Sequence, residues 1–280
     1  MEFLTGYIIK PFNITVLGEV IFTDGTNEEI TPNQLQCEAY GYTYDKTSGT
    51  CSAFRYNTNI ERTLSNINNK NNGPGNTTQL GTNTVQVNGT NNTTRGFNNN
   101  CFINGSNNEI ANGVSNTNVT GTLGEATNTN SIVLGGNAAN DSLGERQNIT
   151  LMFGTETTDN SSVDSYLNNT VGSYFEVPLN TAITFQTETV AVRIGGTGGG
   201  SLGDFKAFIE VGAVVSNKSG VLTIDKSRTI IANSGTTSGW LSDLVVSGQN
   251  LVQQVKGANN RTIMWATTIR MTQIKTGVEL

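Results

Sequence analysis

A regular glycine step limits the fold of this chain more than any other feature. Gly81, Gly89, Gly105, Gly113 and Gly121 fall on an eight-residue register, with one slot near Gly96 and Phe97 slightly off, and a shorter step leads on to Gly135. Two residues ahead of most of these glycines lies an apolar or small side chain: Val87, Ile103, Ala111, Val119 or Val133. A fixed period is the mark of stacked repeats. Two halves make a turn of about 16 residues, each half a short strand with one inward side chain and a Gly or Asn corner. This predicts a β-solenoid over 79–145, with Val87, Ile103, Val119 and Val133 in its core and backbone hydrogen bonds running between turns.

Composition agrees with that class. The 280 residues include 38 Asn, 41 Thr and 32 Gly, and only 14% are charged, against roughly 25% in ordinary soluble domains. A disordered chain would carry more charge or more proline than a net −6 and 4 Pro. Asn and Gly tolerate corners with positive φ, and Thr suits strands. The chain has no His, which excludes His-based triads and His-ligated metals, so no metal and no cofactor is expected. An acidic chain with pI near 4.8 is not expected to bind nucleic acid. Met1 to Lys10 reads as neither signal peptide nor spanning segment, and no apolar run approaches 18 residues, so no membrane insertion is expected. Two apolar side chains per turn offset little of the entropy of ordering a whole turn. Lateral association, as a trimer, is therefore expected.

The flanks read differently. Residues 1–56 suggest a small β unit: Gly6 to Ile9 and Ile14 to Phe22 are β-branched, and Tyr40, Tyr42 and Tyr44 alternate as on one face of a strand. Cys37 and Cys51 flank a hairpin with a turn near Asp45 to Gly49. A bridge between them is one reading; but if the turn is central, Cys51 pairs near Thr43 and Cys37 lies well past it, so with Cys101 the favoured expectation is three reduced thiols. The Asn-rich stretch 57–78 reads as a linker. Residues 146–280 read as a β-sandwich or jelly-roll of roughly eight strands. There Phe205, Ala207, Ile209, Val211 and Ala213 share one face with Lys206 and Glu210 opposite, and Ile263, Trp265, Thr267, Ile269 and Met271 share another. Between them a phase change from Ile183 and Phe185 to Val190, Val192 and Ile194 predicts a bulge near Thr187–Thr189.

Few motifs carry chemistry. Gly195 to Ser201 lacks the lysine and the following helix of a phosphate loop and reads as a flexible hairpin loop. Glu156 with Asp159, or Asp141 with Glu145, would suit glycoside hydrolysis, but both pairs fall in turn-like segments that favour solvated acids. In the repeats the acids are Glu109 and Glu125, few for a hydrolase. Asn-Xaa-Ser/Thr triplets, as at Asn13 and Asn88, are expected by chance at this composition. Trp265 reads as core, and Trp240, at a loop end, as an exposed platform for sugar.

Ser131-Ile132-Val133-Leu134-Gly135-Gly136-Asn137-Ala138 resembles the head repeat of trimeric autotransporter adhesins, which implies a trimeric β-roll. The stretches Gly135–Gly154, Val192–Gly200 and Thr268–Thr276 resemble virion fibre proteins of tailed phages, especially those of marine cyanobacteria. That resemblance implies a homotrimeric tail or head fibre assembled in the host cytoplasm, non-enzymatic, joined to other virion proteins by its N-terminal unit. A C-terminal knob would contact a host surface glycan or protein through Trp240, Thr197, Ser201 and Asn233. The alternatives are a decoration protein of capsid or tail, and a depolymerase of surface polysaccharide.

Overall fold

In a computed structural model, residues 9–15, 18–46, 48–53, 69–79, 81–136 and 142–276 are described. Two compact units result, Met1–Ile67 and Asn68–Leu280.

The first unit has strands β1 (Lys10–Ile14) and β2 (Val20–Thr23), helix α1 (Gln34–Ala39), and strands β3 (Thr43–Asp45) and β4 (Thr50–Ser52). β1 pairs antiparallel with β2, and β3 with β4. The run from Ile14 to Phe22 is thus not one strand, and Gly6 to Ile8 lie outside the described residues. The helix departs from the all-β expectation. Asn33 starts it, accepting from the Gln36 backbone N–H while Gln36 Oε1 accepts from Asn33 N–H, a reciprocal cap. Tyr40 ends that helix, so the three tyrosines do not share a strand. Tyr40 and Tyr42 instead pack their rings edge-on to buried Phe22, with centroids 5.7 and 6.4 Å apart.

The expected reduced thiols are corrected here: Cys37 and Cys51 form a disulfide, with Cα atoms 5.7 Å apart. Cys51 does sit in the hairpin, opposite Tyr44. Cys37, however, comes from α1, and the helix folds back to place it over β4. Cys101 is free and buried.

The second unit begins with the solenoid. One face stacks β5 (Lys70–Asn72), β7 (Gln86–Thr90), β9 (Phe102–Ser106), β11 (Asn118–Thr122) and β13 (Ile132–Gly135) in parallel. A second stacks the short strands β6 (Thr77–Thr78), β8 (Thr93–Thr94), β10 (Glu109–Ile110) and β12 (Glu125–Ala126). A third corner is bridged through Asn83, Asn99 and Ser115. Val87, Ile103, Val119 and Val133 pair in one column and are all buried. Residues 69–78, read as linker, form the first turn instead. Their Asn side chains explain it, because Asn69 Oδ1 accepts from Val85 N–H and Asn76 Oδ1 from Asn92 N–H on the next turn.

The glycine step has a steric cause. Gly89, Gly105 and Gly121 have φ of 116°, 138° and 101°. A Cβ on Gly89 would land on the Gly105 carbonyl, and one on Gly105 on that of Gly121. At the irregular slot Phe97 takes the glycine place of the neighbouring turns, at φ 52°.

β13 then pairs antiparallel with β14 (Arg146–Thr157), so the solenoid face runs on into a twisted antiparallel sheet. Its further order is β22 (Thr262–Lys275), β17 (Thr181–Gly195), β18 (Phe205–Ser216) and β19 (Leu222–Asn233). A smaller sheet joins β15 (Ser162–Leu167), β16 (Phe175–Glu176), β20 (Leu241–Ser247) and β21 (Asn250–Lys256). Solenoid residues such as Ile103 share one buried cluster with Phe153, Phe185, Leu244 and Met271. A second cluster gathers Phe208, Trp240 and Trp265.

Two strand readings change. No bulge interrupts β17 at Thr187–Thr189: pairing with β22 stays regular to Arg193, where the register shifts. The buried phase runs through Phe185, Thr187, Thr189, Ala191 and Arg193, leaving Val190 and Ile194 outside. On β18, Lys206, Phe208 and Glu210 are buried, whereas Phe205 and Val211 are exposed. The ions are compensated inside. Lys206 Nζ donates to the carbonyls of Thr237 and Trp240, and Glu210 pairs with Lys226 at 2.8 Å and accepts from Leu244 N–H.

Candidate functional site

Where the solenoid meets the antiparallel sheets, a groove of about 350 Å³ is lined by Glu125, Thr127, Asn128, Tyr174, Glu176, Pro178 and Lys275. Glu125 stands on β12, with its backbone N–H donating to Gln147 Oε1 at 2.8 Å. In parallel register it is stacked on Glu109, which is stacked on Thr93. Because Ile110 and Ala126 point inward, the two glutamates point outward from adjacent turns, a strand spacing of about 4.8 Å apart. Glu109 is ion-paired with Arg95 at 2.7 Å. Burial pushes the Glu125 carboxyl above the usual range; the charge of Glu109 adds to this and that of Lys275 opposes it. On the facing wall the Tyr174 hydroxyl donates to Asp164 Oδ2 at 2.7 Å, and this bond to a carboxylate keeps the phenol protonated far above its usual range. A carboxyl biased toward its acid form, one strand spacing from an ion-paired carboxylate, is an arrangement able to give a proton and stabilise a cation.

A cleft of about 530 Å³ lies at the opposite end of β22, between Thr158, Asp159, Gly196, Thr197, Asn259, Asn260, Arg261 and Thr262. The glycine-rich segment beside it is not a loose hairpin. The buried Arg193 guanidinium donates to the carbonyls of Gly195, Gly196, Gly198 and Gly199. Asp204 holds the other end. The Ser201 N–H keeps its carboxyl below the usual range against the effect of burial, helped by Thr236 N–H and by the charges of Arg193 and Arg261.

Of the residues expected to contact a ligand, Thr197 lines this cleft and is exposed. Ser201 lies in the loop that Asp204 ties down, and Asn233 ends the edge strand β19 opposite Lys206. Trp240 is fully buried against Trp265, with ring centroids 6.2 Å apart, so the exposed platform is corrected to a core residue. The loop after β19 folds its indole under the sheet because Lys206 anchors the Trp240 carbonyl. Among the acid pairs weighed, Glu156 is exposed on β14 opposite Met264, and Asp159 lines the cleft. Glu145 accepts from Ser142 N–H in a turn, and Asp141 lies outside the described residues. Glu109 and Glu125, too few for a hydrolase by count alone, are the acids that the fold brings together. Their spacing equals the turn length, and that coincidence was the available signal that they stack.

No protein-family model and no curated protein matches the chain. Three solved phage tailspikes are similar to it. That of Acinetobacter baumannii phage AM24 is 11% identical, with 64% of this chain and 34% of the tailspike covered at a TM-score of 0.25. That of Acinetobacter phage vB_ApiP_P1 is 10% identical, covering 73% and 46% at 0.26. The tailspike of Acinetobacter baumannii bacteriophage Fri1, a capsular polysaccharide depolymerase, is 13% identical, covering 73% and 36% at 0.25. The chain thus spans less than half the length of each. The non-enzymatic expectation is corrected to this extent: one of the similar structures is described as a capsular polysaccharide depolymerase.

Proposed function

We propose that this chain is part of a phage tailspike that binds and hydrolyses a host surface polysaccharide, with the groove beside Glu125 as its active site. The observation that carries this reading is the Glu109–Glu125 stack, whose two acids sit in opposed environments. Glycoside hydrolysis needs one carboxylic acid to protonate the leaving oxygen and one carboxylate to act as nucleophile or base. Glu125 is assigned as the acid, since burial favours its protonated form. Glu109, ion-paired with Arg95, is assigned as the carboxylate. Tyr174, Glu176 and Lys275 line the groove as sugar-contacting groups. The fibre reading explains the same polar surface, with a C-terminal β-sandwich knob, an N-terminal attachment unit and a homotrimer as its further parts.

Release of reducing ends from capsular polysaccharide by the purified chain tests the assignment. Glu125→Gln and Glu109→Gln are each expected to lower the rate by about 10²-fold or more while thermal unfolding stays close to wild type. Unchanged rates in both variants remove these residues from the chemistry. Unchanged phage adsorption after loss of the chain favours the decoration alternative.

A further inference from the structure

The cleft at the far end of β22 has no part in the hydrolysis assigned above. Thr262 lines the cleft and Lys275 the groove, at the two ends of one 14-residue strand. At about 3.3 Å per residue the two sites are roughly 40 Å apart. We propose that this cleft is a second, non-catalytic binding site for a neutral saccharide.

Its lining sets the ligand class. Three threonines, two asparagines, one aspartate and one arginine line it, with no aromatic and no aliphatic side chain larger than threonine. A polar ligand therefore suits it better than an apolar one. Asp159 and Arg261 place one charge of each sign on the walls, so an anion meets the carboxylate and a cation the guanidinium. A neutral polyol satisfies both, giving hydroxyl protons to Asp159 and accepting from Arg261.

The cleft is also built before any ligand arrives. A Cβ on Gly196 would strike the Asn260 carbonyl, and one on Gly198 the Asn259 carbonyl. These glycines let the segment fixed by Arg193 close against Asn260 and Arg261. Gly198 N–H donates to the Asn260 carbonyl at 2.7 Å, and Asn160 N–H to Asn259 Oδ1 at 3.2 Å, joining three loops. Arg261 is aimed by its bond to the Thr236 carbonyl. A preformed site of this kind loses little to ordering on binding. Two sites on one polymer also raise its apparent affinity without further contacts.

The test uses the full chain and an array of neutral and acidic oligosaccharides, followed by calorimetric titration with the neutral probe best retained. Wild type is expected to bind a neutral oligosaccharide. The double variant Thr197→Ala/Asn260→Ala, and separately Arg261→Lys, are expected to bind about tenfold more weakly or worse. Glu125→Gln is expected to keep that affinity, since the groove is remote. Equal binding by both cleft variants overturns the proposal, as does retention of acidic probes alone or of none. Loss of binding in Glu125→Gln alone would place the saccharide in the groove, which overturns the cleft while leaving the hydrolase reading intact. Absent hydrolysis with cleft-dependent binding has the reverse meaning.

Discussion

Asn108 Nδ2 donates to Asn92 Oδ1 at 3.1 Å, one solenoid turn away, with both side chains buried. The contact belongs to an internal ladder. Asn92 Nδ2 donates in turn to Asn76 Oδ1, Asn108 Nδ2 also reaches the Gly121 carbonyl, and Asn108 Oδ1 accepts from Gly124 N–H. Asn108→Ala takes the side-chain partner from the Gly121 carbonyl and the Gly124 N–H, while Asn92 Oδ1 keeps the Asn108 backbone N–H, and each group left unsatisfied in the interior costs about 1–3 kcal/mol. A loss of roughly 3 kcal/mol is expected in denaturant unfolding of the full chain. A solvent-facing control, Asn118→Ala, is expected to lie within about 0.5 kcal/mol of wild type.

That ladder shows where sequence reading ended. The glycine register was legible because glycine there is a steric demand, and the valine column two residues earlier followed with it. The asparagines were read as corner residues, which Asn91, Asn107 and Asn116 are, with φ between 53° and 56°. Nothing in composition separates those from Asn76, Asn92 and Asn108, which turn inward. Turn length does not do so either, since Asn91 and Asn107 repeat with the same 16-residue step as Asn92 and Asn108, although that step does place Glu109 beside Glu125. On β18 the pattern misled for another reason: apolar alternation marks a buried face only where no partner covers the other one.

The Cys37–Cys51 bridge closes a short loop, and loop-closure entropy assigns such a bridge about 3 kcal/mol. The paired variant Cys37→Ser/Cys51→Ser is expected to unfold the first unit at lower denaturant while the solenoid transition stays in place. Peptide mapping under non-reducing conditions reads the bridge directly, and a free thiol at both positions would contradict it.

Trp240→Ala is expected to cost about 3–5 kcal/mol, the range for a large buried aromatic, because the indole fills the cluster with Trp265, Phe208 and Ala191. Saccharide affinity measured below the unfolding transition should stay at the wild-type value. A variant of normal stability with lost binding would restore Trp240 to the surface.

Two carboxyls give opposite pH signatures. Asp204 has its folded pKa below the ordinary 3.8, so its stabilisation is present above that value and is lost as pH falls through the folded pKa. Glu125 has its folded pKa above the ordinary 4.5; the folded state there binds more protons than the unfolded one, and stability falls as pH rises through the interval above 4.5. Glu125→Gln is expected to remove the second slope and keep the first, while Asp204→Asn does the reverse. Thermal midpoints between pH 3 and pH 7 read both.

The outward face of the large sheet bears on oligomeric state. Met152, Met264, Val190 and Val211 are each about half exposed, with Phe205 beside them. The register places Val190 next to Ala266 and Met264 next to Val192, so these apolar side chains adjoin on two neighbouring strands, beside the exposed Arg270–Glu188 ion pair. Ile132 and Leu134 are exposed likewise on the solenoid. Exposed apolar patches on a soluble chain mark contact surfaces, and a standard interface needs about 20–30 residues a side, which five strands of this length present. In the homotrimer reading this face is where copies meet. Light scattering is expected to give three times the 29.8 kDa of one chain. Val190→Glu/Met264→Glu is expected to reduce that to a single chain with unchanged far-ultraviolet circular dichroism, because both side chains point away from the core. A wild-type monomer at micromolar concentration would refute the trimer and leave the exposed apolar face without an occupant.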